Sequence, residues 1–190
     1  MTNRPRLLAL ATAVPPHALS QQAVSDRARL IFGKACAADF ERMAAVFGNA
    51  GIARRYSAVP VEWYERPHGW PERNALYLTH ALELAAEAAR KSLAIAGLEA
   101  AEIDAVVVVS TTGIATPSLD ARLIDRIGLR SEVRRLPIFG LGCAGGKIQN
   151  FHQRIPWGPK SKSFSLRICF KVSKVTRHDA DSSSKSHRPF

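Results

Sequence analysis

Cysteine is scarce in this chain, and long apolar runs are missing. The 190 residues contain three cysteines, an odd number without the spacing of a disulfide framework, which favours a reducing compartment, the cytoplasm. No run of about 18 apolar residues is present, so no membrane-spanning helix is predicted. No P-loop motif, G-x-x-x-x-G-K-[ST], occurs. His17, His68 and His80 have no partner at ligand spacing, which argues against a metal site.

The N-terminal apolar stretch LLALATAV has two interpretations. It follows Arg4 and Arg6, as the apolar region of a short secretory signal would. It is also typical of a buried first strand, Leu7–Val14, that ends at the turn residues Pro15 and Pro16. Eight apolar residues are at the short limit for a signal, so we favour the strand.

The composition changes abruptly near residue 147. Alanine occurs 28 times before that point and once after it, whereas lysine occurs twice before and six times after. Residues 147–190 carry ten Lys and Arg against two Asp, and the first 146 residues carry 17 against 14 acidic residues. We therefore predict a body, residues 1–146, and a basic Ser/Lys-rich tail, residues 147–190, which is disordered. A frameshift or gene rearrangement near codon 147 would explain such a change, and we expect the tail to be unrelated to the body.

Hydrophobic periodicity predicts an α/β domain within the body. Four helices are expected, over about 20–32, 37–47, 72–96 and 118–127. The run AVVVVSTT after Asp104 is continuous and β-branched, which indicates a strand buried on both faces. Residues 133–141 are again extended in character. The order of strand, helices, strand, helix, strand predicts a largely buried sheet.

Cys143 is the sharpest candidate for chemistry. It lies between a predicted strand and a glycine-rich helix start, where the positive end of the helix dipole favours thiolate over thiol. Gly142, Gly145 and Gly146 would let a thioester carbonyl approach backbone N–H groups that could hold an oxyanion. The alternative is a structural cysteine in a tight strand–helix connection, and the short motif leaves both open.

Two further groups are weaker candidates. Ser110, Thr111 and Thr112 follow the β-branched strand, where open α/β sheets place their ligands; they also suit a turn that satisfies its own backbone. Arg54 and Arg55 could hold a phosphate-bearing ligand, or simply form a solvated face.

Five long stretches resemble one known family. They are LATAVPPHALSQ, GNAGIARRYSAVPVEWY, PHGWPERN, VVVVSTTGIATPSLDARLIDRIGLR and RRLPIFGLGCAGG. They occur in consistent order within a match that covers essentially residues 6–146, and they are similar to bacterial type III polyketide synthases, the chalcone/stilbene synthase family of the thiolase superfamily. The resemblance implies the N-terminal half of a thiolase-like αβαβα fold.

The same resemblance implies an activity and a set of roles. A cysteine, here Cys143, takes an acyl group from a CoA starter and condenses it with malonyl-CoA, without a metal or other cofactor. Thr111 and Thr112 would line the acyl or cyclisation pocket, and Thr116 would reach across a homodimer interface. One of Arg54 and Arg55 would lie near the phosphates of CoA.

The resemblance also implies what the 190 residues would lack. Family enzymes are about twice this long, and their second half supplies a histidine and an asparagine that assist decarboxylation and hold the thioester oxygen. We therefore expect this chain to be inactive in condensation. Alternatives are a ketoacyl synthase III-like enzyme, which passes its acyl chain to a carrier protein, and a non-catalytic fragment whose basic tail binds nucleic acid or a membrane surface.

Overall fold

The fold is that of a computed structural model, which describes residues 7–142 and residue 144, without the side chains of residues 33–39 and 41. Seven helices and strands, with two short 3₁₀ helices at Val61–Glu65 and Ala100–Glu102, make up this part of the chain. In chain order they are β1 His17–Ser20, α1 Gln21–Asn49, β2 Arg54–Ser57, α2 Trp70–Ala96, β3 Ala105–Ser110, α3 Leu119–Ile127 and β4 Arg134–Phe139. The predicted mixture of helices and strands is confirmed.

The first unit is a small antiparallel pair followed by a long helix. β1 pairs with β2, with His17 opposite Ser57 and Ser20 opposite Arg54. Ser20 also begins α1, because its side-chain oxygen accepts a hydrogen bond from the backbone N–H of Ala23 at 3.0 Å. This is the cap that the sequence predicts.

One prediction for this N-terminal region is wrong, and another holds in part. The two helices expected over 20–32 and 37–47 are joined without a break in α1. A straight helix of this length would span about 43 Å, whereas the side chain of Gln21 reaches the carbonyl of Phe47 at 2.7 Å, so α1 bends back on itself and its two halves lie where the two helices were expected. Leu7–Val14 is not a strand. A strand needs a neighbour to satisfy its backbone, and no described residue pairs with this segment. Leu7 and Leu10 are accordingly exposed.

The hydrophobic core lies between α2, α3 and one face of β3. The stripe predicted for α2 is confirmed at its centre and C-terminal end, where Ala85, Ala89 and Leu93 are buried. Val106 and Val108 of β3 and Leu123 of α3 complete the contact. Gly97 and Gly128 end the two helices in the left-handed conformation that glycine adopts without penalty.

β3 and β4 form a parallel pair that runs in register from end to end. Ala105 lies opposite Arg134, and Ser110 lies opposite Phe139. Residues Ala105–Val108 are buried, as the continuous apolar run predicts. β4 alternates between exposed and half-buried residues, so the sheet is buried along β3 rather than throughout.

Aromatic and polar contacts hold the connection between β2 and α2. The His68 ring stacks on Trp63 with centroids 3.8 Å apart, and its Nδ1 lies 2.7 Å from a carboxylate oxygen of Glu72. The Tyr64 hydroxyl lies 3.0 Å from that of Ser57. His68 therefore packs through one face of its ring and binds Glu72 through its Nδ1.

Replacing the most buried leucine of the core tests this packing. Leu123 is 1% exposed, so Leu123→Ala should lower the free energy of unfolding by about 3 kcal/mol through lost contacts and a residual cavity. Ile95→Ala, on the exposed side of α2, should change it by less than about 0.5 kcal/mol. Urea denaturation of both variants measures the difference. Equal effects would contradict the assignment of the core.

Candidate active site

The candidate site lies at the edge of the sheet where β3 and β4 both end. The register brings Ser110 beside Phe139, and the backbone N–H of Gly140 donates to the Ser110 carbonyl at 3.2 Å. The loop that follows β3 and the turn that follows β4 therefore leave the sheet side by side. Open α/β sheets bind ligands at this edge, beyond the carboxyl ends of their strands.

The predicted pocket residues lie on the loop after β3. Thr111 is exposed and Thr112 is half-buried. Further along the same loop, Thr116 is exposed and precedes Pro117 through a cis peptide bond. The fold therefore places all three threonines on one connection, between β3 and α3.

Cys143 lies outside the described residues, but the backbone on either side of it is described. Gly140 and Gly142 have positive φ angles, 83° and 50°, which non-glycine residues seldom adopt. The N–H of Ala144 donates to the carbonyl of Leu141 at 3.0 Å. The chain therefore turns at Gly140–Gly142 immediately after β4, and the predicted nucleophile is the next residue in the sequence. The predicted helix start with Gly145 and Gly146 is likewise outside the described residues.

A hydrogen bond from α2 reaches the site, and the sequence analysis missed it. The hydroxyl of Tyr77 lies 2.5 Å from the hydroxyl of Ser110. Burial raises the pKa of the Tyr77 phenol above its ordinary value, and the hydrogen bond with Ser110 opposes that shift in part. Tyr77 is therefore a neutral phenol at physiological pH. In the sequence, Tyr77 directly precedes Leu78, the first residue of the apolar stripe of α2, and this position was the signal that could have indicated its partial burial.

The arginine pair lies on the other, antiparallel unit. Arg55 is half-buried, and its Nε donates to the side-chain oxygen of Gln21 at 2.8 Å. Gln21 in turn donates to the Phe47 carbonyl at 2.7 Å, so Arg55 ties β2 to both ends of α1. Arg54 is exposed, and the described contacts do not bring either arginine to the edge of β3 and β4.

A buried carboxylate near the start of α3 is a second feature that the sequence analysis missed. Asp120 is 1% exposed, and neither of its oxygens has a hydrogen-bond partner among the described residues. The Arg135 guanidinium lies 3.6 Å away, and the positive end of α3 is adjacent. Both partly offset the cost of burying this charge. An acidic residue in a first helical turn is usually exposed, so no sequence signal indicates this burial.

The described part of the chain offers neither a cluster of metal ligands nor a membrane-spanning helix. Across residues 7–142 and 144, His, Cys, Asp and Glu side chains nowhere gather in the groups of three that a metal ion would need. Of the helices α1, α2 and α3, none has the length and apolar character needed to cross a bilayer.

Comparison with known proteins gives consistent matches. The family model for the N-terminal domain of chalcone and stilbene synthases matches residues 2–151. A 1,3,6,8-tetrahydroxynaphthalene synthase from Streptomyces peucetius subsp. caesius is 44% identical over 140 residues, and a phloroglucinol synthase from Pseudomonas fluorescens is 32% identical over 135 residues. These alignments cover 73% and 70% of this chain but only 36% and 37% of those proteins. The chain thus spans little more than a third of their length.

A solved structure shows the same likeness in three dimensions. The 1,3,6,8-tetrahydroxynaphthalene synthase of Streptomyces coelicolor A3(2), described as a bacterial type III polyketide synthase, superposes with a TM-score of 0.68 at 28% identity. The superposition covers 78% of this chain and 44% of that one. The predicted thiolase-like α/β fold is confirmed.

Titration of Tyr77 tests its half-buried contact with Ser110 at this edge. Its pKa is raised in the folded chain, so its contribution to stability is complete below the ordinary tyrosine value near pH 10 and is lost as pH rises through the folded value. Above about pH 10, the unfolding free energy of the wild type should fall more steeply than that of Tyr77→Phe. Denaturant titrations at a series of alkaline pH values check this, and parallel curves would contradict it.

Proposed function

Because the chain belongs to the chalcone and stilbene synthase family, we propose that it performs the first chemical step of type III polyketide synthases, with Cys143 as the acyl acceptor. The observation that carries the proposal is the shared edge of the sheet. There the turn Gly140–Gly142 follows β4 beside the loop that bears Thr111 and Thr112. In the sequence, the residues that the family resemblance assigns to nucleophile and pocket follow these two neighbouring strands, which supports the proposal.

The proposed step transfers an acyl group from coenzyme A to the cysteine. The Sγ of Cys143 attacks the thioester carbonyl, a carbon–sulfur bond forms, and the bond to the CoA sulfur breaks. The thiol proton of Cys143 ends on the released CoA. Thiolate is the reactive form, and a reducing compartment such as the cytoplasm would keep the residue available.

The glycine-rich turn offers what the tetrahedral intermediate needs. Attack on the thioester places a negative charge on the former carbonyl oxygen, and backbone N–H groups stabilise such an oxyanion when they point at it. Gly140 and Gly142 adopt backbone angles that suit few other residues, and their lack of side chains leaves room for a thioester beside the backbone.

Condensation requires more than this first step. In the family reaction malonyl-CoA loses CO₂, its carbanion attacks the acyl–Cys143 thioester, and the cysteine thiolate is released. The resemblance assigns assistance in that step to a histidine and an asparagine of the second half, whereas this chain matches the N-terminal domain model. We therefore expect the 190 residues alone to load an acyl group without extending it, since the loss of one oxyanion donor costs about 10²–10³ in rate.

Exposure favours Arg54 over Arg55 as the arginine that contacts CoA phosphate. Arg55 already donates to Gln21, whereas Arg54 is exposed on the opposite face of β2. A guanidinium binds phosphate oxygens through paired N–H donors. Arg54 therefore offers its donors to a ligand from solvent.

The proposed partner is a second copy of the chain. The resemblance assigns Thr116 to a homodimer contact, and its exposed position on the loop between β3 and α3 leaves it accessible to another protomer. Such a contact would lie on the same loop as Thr111 and Thr112, so assembly and the pocket would share one connection.

Mass spectrometry of the intact chain tests the acyl transfer. Incubation with hexanoyl-CoA should add one hexanoyl group, and Cys143→Ser should abolish the addition because a neutral hydroxyl is a far weaker nucleophile. Cys36→Ser and Cys169→Ser serve as matched controls and should be acylated like the wild type. Modification that persists in Cys143→Ser would contradict the assignment.

A comparison of two acyl donors tests Arg54. Arg54→Ala should raise the half-saturating concentration of hexanoyl-CoA about tenfold, because one phosphate contact is lost. It should leave the hexanoyl thioester of N-acetylcysteamine, which has no phosphate, unchanged. Arg90→Ala, which removes an exposed arginine of α2, is the charge-matched control. Equal effects on both donors would show that Arg54 acts on folding rather than on CoA.

A further inference from the structure

We propose that Asn74 and Tyr77 of α2 are positioning residues that fix the loop Thr111–Pro117 and thereby decide which acyl chains Cys143 accepts. This inference rests on the proposed acyl transfer. It concerns residues that have no part in the bond-making step, and it starts from a set of contacts between α2 and this loop.

Asn74 holds the middle of the loop through a pair of hydrogen bonds. Its Nδ2 donates to the Ile114 carbonyl at 2.9 Å, and its Oδ1 accepts from the Ile114 N–H at 2.9 Å. A side-chain amide that satisfies both backbone groups of one residue fixes the position and the direction of the chain there. Only asparagine and glutamine carry a carboxamide with a separate donor and acceptor, and glutamine is one methylene longer.

Tyr77 holds the start of the loop, one helical turn further along α2. Its hydroxyl meets that of Ser110, and its ring lies against Gly113. A Cβ built on Gly113 would lie 2.1 Å from the Cδ1 atom of Tyr77 and 2.8 Å from the Oδ1 atom of Asn74. The loop therefore touches α2 so closely at this point that only glycine fits.

A third contact closes the far end of the loop. The Arg122 side chain of α3 donates to the Pro117 carbonyl at 3.0 Å and to the Thr116 carbonyl at 3.3 Å. The loop is thus held at Ser110, at Gly113 and Ile114, and at Thr116 and Pro117. The exposed Thr116 therefore lies on a segment whose backbone is held by hydrogen bonds.

Thr111 and Thr112 lie between the first two of these contacts. Since Ser110 is held by Tyr77 and Ile114 by Asn74, the two threonines have only a short span in which to shift. A pocket wall selects among substrates by fractions of an ångström, because an extra methylene must find either space or a clash. Loss of the hydrogen bonds between Asn74 and Ile114 would let Thr111 and Thr112 move away from the acyl chain. Discrimination between short and long acyl chains should then weaken.

The test uses the full 190-residue chain and two acyl donors. Acylation of Cys143 by acetyl-CoA and by hexanoyl-CoA is timed by intact mass for the wild type, Asn74→Ala and Tyr77→Phe. Thr79→Ala is the matched control, because it removes an exposed hydrogen bond within α2 itself. Alkylation of Cys143 by iodoacetamide reports whether the thiol stays equally accessible, and amide hydrogen exchange at Ile114 reports directly on the hold.

We expect Asn74→Ala to speed exchange at Ile114 and to move the ratio of the two acylation rates at least about fivefold toward one. Tyr77→Phe should act in the same direction. The rate of iodoacetamide alkylation should be the same in all variants. Thr79→Ala should show the wild-type exchange rate at Ile114 and the wild-type ratio of acylation rates. Faster exchange at Ile114 with an unaltered ratio would overturn the role in selection, and so would a wild-type ratio of one. An unaltered hydrogen-exchange rate at Ile114 would show that the side chain of Asn74 does not fix the loop.

Failure of the proposed function gives a different result. A wild-type chain that neither donor acylates would refute acyl transfer, and the claim about acyl selection would fall with it. Hydrogen exchange at Ile114 would still decide whether Asn74 fixes the loop.

Discussion

The parallel pairing of β3 with β4 is the constraint on which the candidate site depends. Because the two strands run in the same direction and end opposite each other, at Ser110 and Phe139, the segments that follow them leave the same edge. Parallel strands need a crossover, and α3 lies in that connection. This register brings the loop with the three threonines and the turn with two left-handed glycines to the same edge of the sheet.

α2 stabilises the arrangement in two ways at once. Toward its C-terminal end, small and branched apolar side chains pack on the buried face of β3 and on α3. Toward its N-terminal end, the same side of the helix changes to polar groups, and Asn74 and Tyr77 bind the loop beyond β3. α2 thus both buries β3 in the core and fixes the path of the loop that follows β3.

Much of this fold is predictable from the sequence where the signal is local. The stripe of α2, the glycine stops at Gly97 and Gly128, and the Ser20 cap depend on neighbouring residues, and all are found. The strand expected at Leu7–Val14 depends on a partner that its own residues do not specify. An apolar run alone could not supply that partner.

The site was predictable in part, for a related physical reason. Hydroxyl groups at a strand end and a cysteine beside glycines are visible as short motifs, so the edge could be anticipated. The hold of Asn74 on Ile114 joins residues 40 positions apart, and the burial of Asp120 depends on the packing of α3 against β4. Such contacts follow from tertiary geometry, which residue spacing does not contain.

A distance measurement from Cys143 tests the shared edge most directly. A nitroxide attached to Cys143, with Cys36 and Cys169 replaced by serine, should broaden the amide resonances of Thr111 and Thr112 most strongly. It should broaden that of Asp104 least, since the length of β3, about 20 Å, separates the two ends. Equal broadening at both ends, or stronger broadening at Asp104, would contradict the placement of the cysteine beside the threonine loop.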